Sequence, residues 1–121
     1  MSPAHVTPRE LLEYLTPDGR SPFREWLRGL KDVRTRAIIR VRLNRVRLGN
    51  LGHCRALADG VSELKIDHGP GFRVYFGEDG DTLVILLCGG DKGSQRADIQ
   101  RAKAYWRDYR RVGHAEANPE L

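Results

Sequence analysis

Residues 60–95, GVSELKIDHGPGFRVYFGEDGDTLVILLCGGDKGSQ, read as three antiparallel strands running into a glycine-rich segment. From Ser62 to Asp67 the chain alternates, with Leu64 and Ile66 pointing one way and Glu63, Lys65 and Asp67 the other. The next run repeats the pattern, with Phe72, Val74 and Phe76 on its apolar side and Arg73 and Tyr75 on its polar side. Between them, His68-Gly69-Pro70-Gly71 has the composition of a turn. Facing residues of an antiparallel pair lie on the same side of the sheet. Centring the turn on Gly69 therefore pairs Lys65 with Arg73, Glu63 with Tyr75, Leu64 with Val74 and Ile66 with Phe72. Two cations set opposite each other weaken a sheet, so folding alone gives no reason for Lys65 beside Arg73; an anionic ligand does.

The third run, Leu83 to Cys88, is apolar on both sides and reads as a central strand covered on both faces. It leads to Gly89-Gly90-Asp91-Lys92-Gly93, read as a loop that brings Lys92 and free backbone N–H groups to the rim of the polar face. Ahead of the strands, Ser21-Pro22 opens a helix on which Phe23, Trp26, Leu27 and Leu30 recur at helical spacing, and Lys31-Asp32 ends it. A second helix runs from about Val33 to Leu48 and stops at Gly49-Asn50. It carries two apolar stripes, Val33/Ala37/Val41/Leu48 and Ile39/Leu43/Val46, which predict two packed neighbours. Arginines fill both flanks between the stripes.

Local signals leave the N-terminal region open. Thr7-Pro8-Arg9-Glu10 has the form of a helix-capping box, whereas Leu11–Leu15 followed by Thr16-Pro17-Asp18-Gly19 fits a strand equally well. Asn50–Gly60 reads as a loop in which His53 and Cys54 lack partners at metal-ligand spacing. At the other end, Ser94 opens a last helix with Asp98 in its first turn, docked by Trp106. Residues 112–121 have no periodicity and are expected to fray.

The 121 residues are enough for one domain, spanning 1–121 with an ordered core at about 11–109. Two cysteines make no disulfide framework, so both are expected as reduced thiols in a cytoplasmic protein. No apolar run reaches membrane-spanning length and no signal-peptide core opens the chain, so neither export nor a membrane partner is expected. The 21 Lys and Arg against 16 Asp and Glu give a net charge of +5, which favours encounter with nucleic acid or an acidic protein. P-loop, dinucleotide fingerprint and nucleophile triad are all missing from the spacing.

PFREWLRGLKD, RLGNLG, DGVSELKIDHGPGFRVYFG and LLCGGDKGSQRADIQRAKAYW together resemble the RelE/ParE-superfamily toxins of bacterial type II toxin–antitoxin modules, above all the phage-related, HigB-like addiction-module killer proteins. The resemblance covers about residues 11–109. It implies a small α+β RelE-like fold: a mostly antiparallel central sheet, a helical hairpin on one face, a C-terminal helix, and Leu11–Leu15 as the first strand. It further implies a metal-independent endoribonuclease without cofactors, which cuts messenger RNA on the ribosome and so inhibits translation. The implied partners are a cognate antitoxin of helix-turn-helix type, the ribosome and messenger RNA, with DNA reached only through the antitoxin. Carried over by motif, Lys65 in ELKID and Arg73 in GFRVYF match basic site positions, and Lys92 in GGDK matches a loop position. Where RelE-like enzymes often use a tyrosine near the chain end, and HigB-like ones a cluster with Asp, Tyr or His, this chain has Gly93, Ser94 and Gln95 after Lys92. The alternatives within the superfamily are a ParE-like DNA gyrase inhibitor and a non-catalytic antitoxin-binding member.

Metal-free RNA cleavage needs a group to take the 2′-OH proton and cations to stabilise the charge on the pentacovalent phosphorus. Lys65, Arg73 and Lys92 suit the second task as RNA-binding and catalytic groups. Tyr75, Asp91 and Asp67 are candidates for the first, and a lysine that Arg73 encourages to give up its proton is another.

Overall fold

The computed structural model describes residues 8–121. In chain order the elements are β1 (Glu10–Tyr14), α1 (Pro22–Gly29), α2 (Val33–Arg47), β2 (Cys54–Ala56), β3 (Val61–Ile66), β4 (Phe72–Asp79), β5 (Leu83–Asp91), α3 (Gln95–Val112) and β6 (Ala115–Glu116). The strands form one sheet in the order β2-β3-β4-β5-β1-β6, antiparallel throughout except where β1 runs parallel to β5. This is a mixed α+β fold with a largely antiparallel sheet. The register between β3 and β4 is the one that the apolar alternation with a turn centred on Gly69 predicts: Lys65 faces Arg73, Glu63 faces Tyr75, Leu64 faces Val74 and Ile66 faces Phe72.

Alternation along the strands sends side chains into two cores, one on each face. Leu64, Ile66, Val74, Phe76, Val84 and Leu86 meet Phe23 and Leu27 of α1 and Ile39, Leu43 and Val46 of α2. On the other face, Val61, Tyr75, Ile85, Leu87 and Cys88 meet Ala102, Trp106 and Tyr109 of α3. A bulge between Tyr75 and Phe76 leaves Leu87 unpaired opposite β4, which lets Leu87 and Cys88 both serve the α3 face. Burial pushes the Cys88 thiol up to about 12, so it stays protonated at neutral pH.

Both tryptophans lie flat where a strand has no side chain. A Cβ on Gly89 would come within 2.2 Å of the Trp26 ring, and one on Gly77 within 2.4 Å of the Trp106 ring. Trp106 also stacks on Tyr109 at 5.3 Å between ring centroids, and the Tyr109 hydroxyl donates to Asp79 Oδ2 at 2.6 Å. At the helix starts, Ser21 Oγ accepts from the Arg24 N–H and Asp32 Oδ1 from the Arg34 N–H. Ser21 also donates to Glu13 Oε1 at 2.9 Å. That fully buried carboxylate is held in addition by Arg24 Nε at 2.8 Å and Asn118 Nδ2 at 2.7 Å.

Several expectations change. Glu10–Tyr14 is a strand, and Thr7 of the alternative capping box lies outside the described residues. The chain after α3 does not fray: Gly113 ends the helix in the left-handed region, β6 pairs with β1, and Asn118 is buried on Glu13. Short-range periodicity cannot register a two-residue strand whose reason is a long-range partner. The expected loop of Asn50–Gly60 contains β2 for the same reason. Gly89 and Gly90 belong to β5, paired with Val74 and Arg73, and are not part of a loop. On α2 only the Ile39/Leu43/Val46 stripe is covered; Val33, Val41 and Leu48 are 66%, 55% and 62% exposed.

Candidate functional site

The polar sides of β3 and β4 lead into a cavity of about 420 Å³, open at one side and lined by His53, Cys54, Arg55, Glu63, Lys65, Arg73 and Gln95. Lys65 and Arg73 stand opposite each other on neighbouring strands, and the Lys65 side chain is 40% exposed, 3.6 Å from Asp67 Oδ1. Arg73 is buried. Its Nη1 donates to the Gly71 carbonyl at 2.7 Å, which ties the guanidinium to the turn, while its Nε is buried without a hydrogen-bond partner. No carboxylate lies within ion-pair distance of Arg73 among the described residues. A guanidinium taken out of water without a counter-charge costs several kcal/mol, and an anion entering the cavity would offset that cost.

The one buried carboxylate of the cavity does not offset it. Glu63 accepts from Arg55 Nε at 2.9 Å and from Gln95 Nε2 at 2.8 Å, so both its oxygens are engaged. Burial works to raise the Glu63 pKa, but the hydrogen bonds from Gln95 and Arg55 outweigh it and hold the carboxyl below its ordinary value. Glu63 therefore adds stability at neutral pH that is lost as the solution is acidified through its lowered native value. Thermal melts of Glu63→Gln are expected to show a flatter decline than the parent below the usual carboxylate range, around pH 4. Parallel declines would remove Glu63 from the acid sensitivity.

The residues picked from sequence separate into two groups. Lys65 and Arg73 come together in the cavity, with Asp67 exposed at its mouth 4.0 Å from His53 Nδ1. Tyr75, Asp91 and Lys92 do not join them. Tyr75 is completely buried because α3 covers the part of the sheet read as its polar face; burial, and then the Glu63 charge, raise its pKa and keep its proton on. Its hydroxyl is buried on the Glu63 side, out of reach of a substrate. Asp91 is used locally, accepting from the Ser94 N–H at 3.1 Å in a capping box. Lys92 is exposed on the single 3-10 turn after β5 and does not line the cavity.

Sequence reasoning missed Arg55 and Gln95 and treated His53 as incidental. Arg55 lies on β2 opposite Glu63, and Gln95 opens α3. The His53 carbonyl accepts from the Lys65 N–H at 3.1 Å, which sets the histidine beside the cation pair. None of the three sits on a periodic pattern; each is placed by pairing across the sheet or by the start of α3. No group of three or more His, Cys, Asp or Glu side chains among the described residues is arranged to hold a metal ion.

An α+β fold with a cationic cavity at the β3–β4 side of the sheet is the form this sequence takes, and comparison places it in a family. The model of the phage-derived protein Gp49-like family (DUF891) matches residues 25–107, and the chain belongs to that family. The match takes in every residue of the cavity and leaves out β1 and β6. An uncharacterized protein of Haemophilus influenzae is 48% identical over 81 residues, 67% of this chain and 82% of that one.

Proposed function

We propose that the chain is the toxin of a bacterial type II toxin–antitoxin pair, of the RelE/ParE superfamily and HigB-like, which cleaves messenger RNA on the ribosome in the cytoplasm. The observation that carries this reading is the cation pair: Arg73, buried with an unpartnered Nε, directly across from a half-exposed Lys65 in a cavity that supplies no carboxylate to Arg73. Such a pair suits the charge that accumulates on phosphorus as the 2′-oxygen attacks. His53 and Asp67 stand at the mouth, where one of them can receive the 2′-OH proton. The leaving 5′-oxygen takes its proton from solvent at the open side of the polar cavity. The ribosome supplies the positioning of the message, a contribution worth several kcal/mol. Neutralisation falls to a cognate antitoxin, of helix-turn-helix type, for which a +5 chain is a suitable partner.

Induction in a bacterial host tests the reading. Protein synthesis is expected to stop within the first minutes with chromosomal DNA intact. Early DNA breaks with continued synthesis would favour a gyrase poison and overturn it.

A further inference from the structure

The exposed stripe of α2 carries a second site. Ala37, Ile38 and Val41 floor a groove of about 500 Å³ whose far wall is the end of β3, with Lys65, Ile66 and Asp67, and which His53 closes at one end. Val33 and Leu48 extend the apolar strip along the same helix, so the uncovered surface runs for about 22 Å at ~1.5 Å per residue. On the helix the flanks are of one sign, and Asp67 on the β3 side is the one acid that lines the groove. α2 carries six arginines and no acidic residue, and among the described residues none of those arginines pairs with a carboxylate. Arg36 and Arg40, one turn apart, repel each other. Arg42 is tied to the Leu51 carbonyl and leaves its Nη1 buried without a partner.

We infer that this groove docks an amphipathic helix of a partner protein, with an apolar row seated on Ala37, Val41 and Leu48 and acidic side chains reaching Arg34, Arg42 and Arg45. Two features favour protein over RNA. Exposed valines and a leucine give a phosphate backbone nothing to bind, whereas they match the i, i+3/i+4, i+7 anchors of a helix laid in a groove. The arginines Arg34, Arg42 and Arg45 along the helix side of the groove select a partner with acids beside its apolar row. Lys65 and His53 line both this groove and the catalytic cavity, so a helix seated here covers the edge of the cavity and places acids beside Lys65. That silencing consequence rests on the proposed nuclease function; the docking itself does not.

A displayed library of helical peptides, selected on the folded wild-type chain and read by fluorescence anisotropy, tests the docking without reference to activity. Enriched peptides are expected to carry Leu or Ile at helical spacing flanked by Asp or Glu, and to bind at least about tenfold more weakly to Val41→Asp and to Arg45→Glu. Enriched peptides that bind these variants as well as the wild type, or that show no acidic bias, would overturn the proposal. So would an oligouridine whose affinity falls on Arg34→Glu and Arg45→Glu while peptide binding is unmoved, which would assign the face to RNA. Peptide binding that follows the expected pattern in a chain that cuts no RNA keeps the groove and removes only the silencing role.

Discussion

Replacing Arg73 with glutamine is expected to slow cleavage of messenger RNA by about a hundred- to a thousand-fold, roughly 2.7–4 kcal/mol of transition-state stabilisation. The size of the effect follows from where the guanidinium sits. It is buried, fixed at one end by the Gly71 carbonyl, and carries an Nε with no partner, so its field acts on an incoming phosphate with little screening and little reorganisation. Lys65 faces it across the strand pair but is half in water, so Lys65→Ala is expected to cost less. Arg107→Ala removes the same charge from an exposed position of α3 and is expected to leave cleavage unchanged. Melting temperatures of all three variants separate lost chemistry from lost structure. Full activity in a folded Arg73→Gln protein would show that the cation does not face the reacting phosphate.

The largest effect on stability is expected at Trp106. Trp106→Ala empties a site that is 4% exposed, beneath α3, and is expected to cost about 3–5 kcal/mol in denaturant unfolding. The partner of that ring is the missing side chain of Gly77, where a Cβ would sit 2.4 Å from it. Gly77→Ala alone should therefore destabilise by about 1–3 kcal/mol through overpacking. With the ring removed the same methyl meets no obstacle, so the double variant should lose less than the two single losses added together. Strict additivity would mean that ring and glycine are not in contact.

The centre of the sheet is legible because period-2 alternation on β3 and β4 fixes the register to within two residues, and a turn centred on Gly69 in His68-Gly69-Pro70-Gly71 selects the one observed. The same alternation placed Lys65 across from Arg73. Which sheet face each helix covers was not legible, since an amphipathic helix declares that it has a buried side and not what buries it. Alternation alone therefore puts Tyr75 on the polar side with Arg73, whereas α3 lies over it. α2 shows the converse: two apolar stripes gave two expected neighbours, and the second stripe is left to solvent. β2 and β6, and with them Arg55 and the buried Asn118, owe their places to strands and carboxylates far away in sequence, which no local window contains.

The central claim is that this cavity cuts messenger RNA as it is translated. Sequencing the ends of a defined message after incubation with the purified chain, with and without ribosomes engaged on it, tests that most directly. The account predicts new ends at fixed codon positions within the translated frame, only when ribosomes are present, and greatly reduced for Arg73→Gln. Cuts in naked RNA at the same rate would contradict the ribosome's part in the account, and an intact message in both reactions would contradict the nuclease itself.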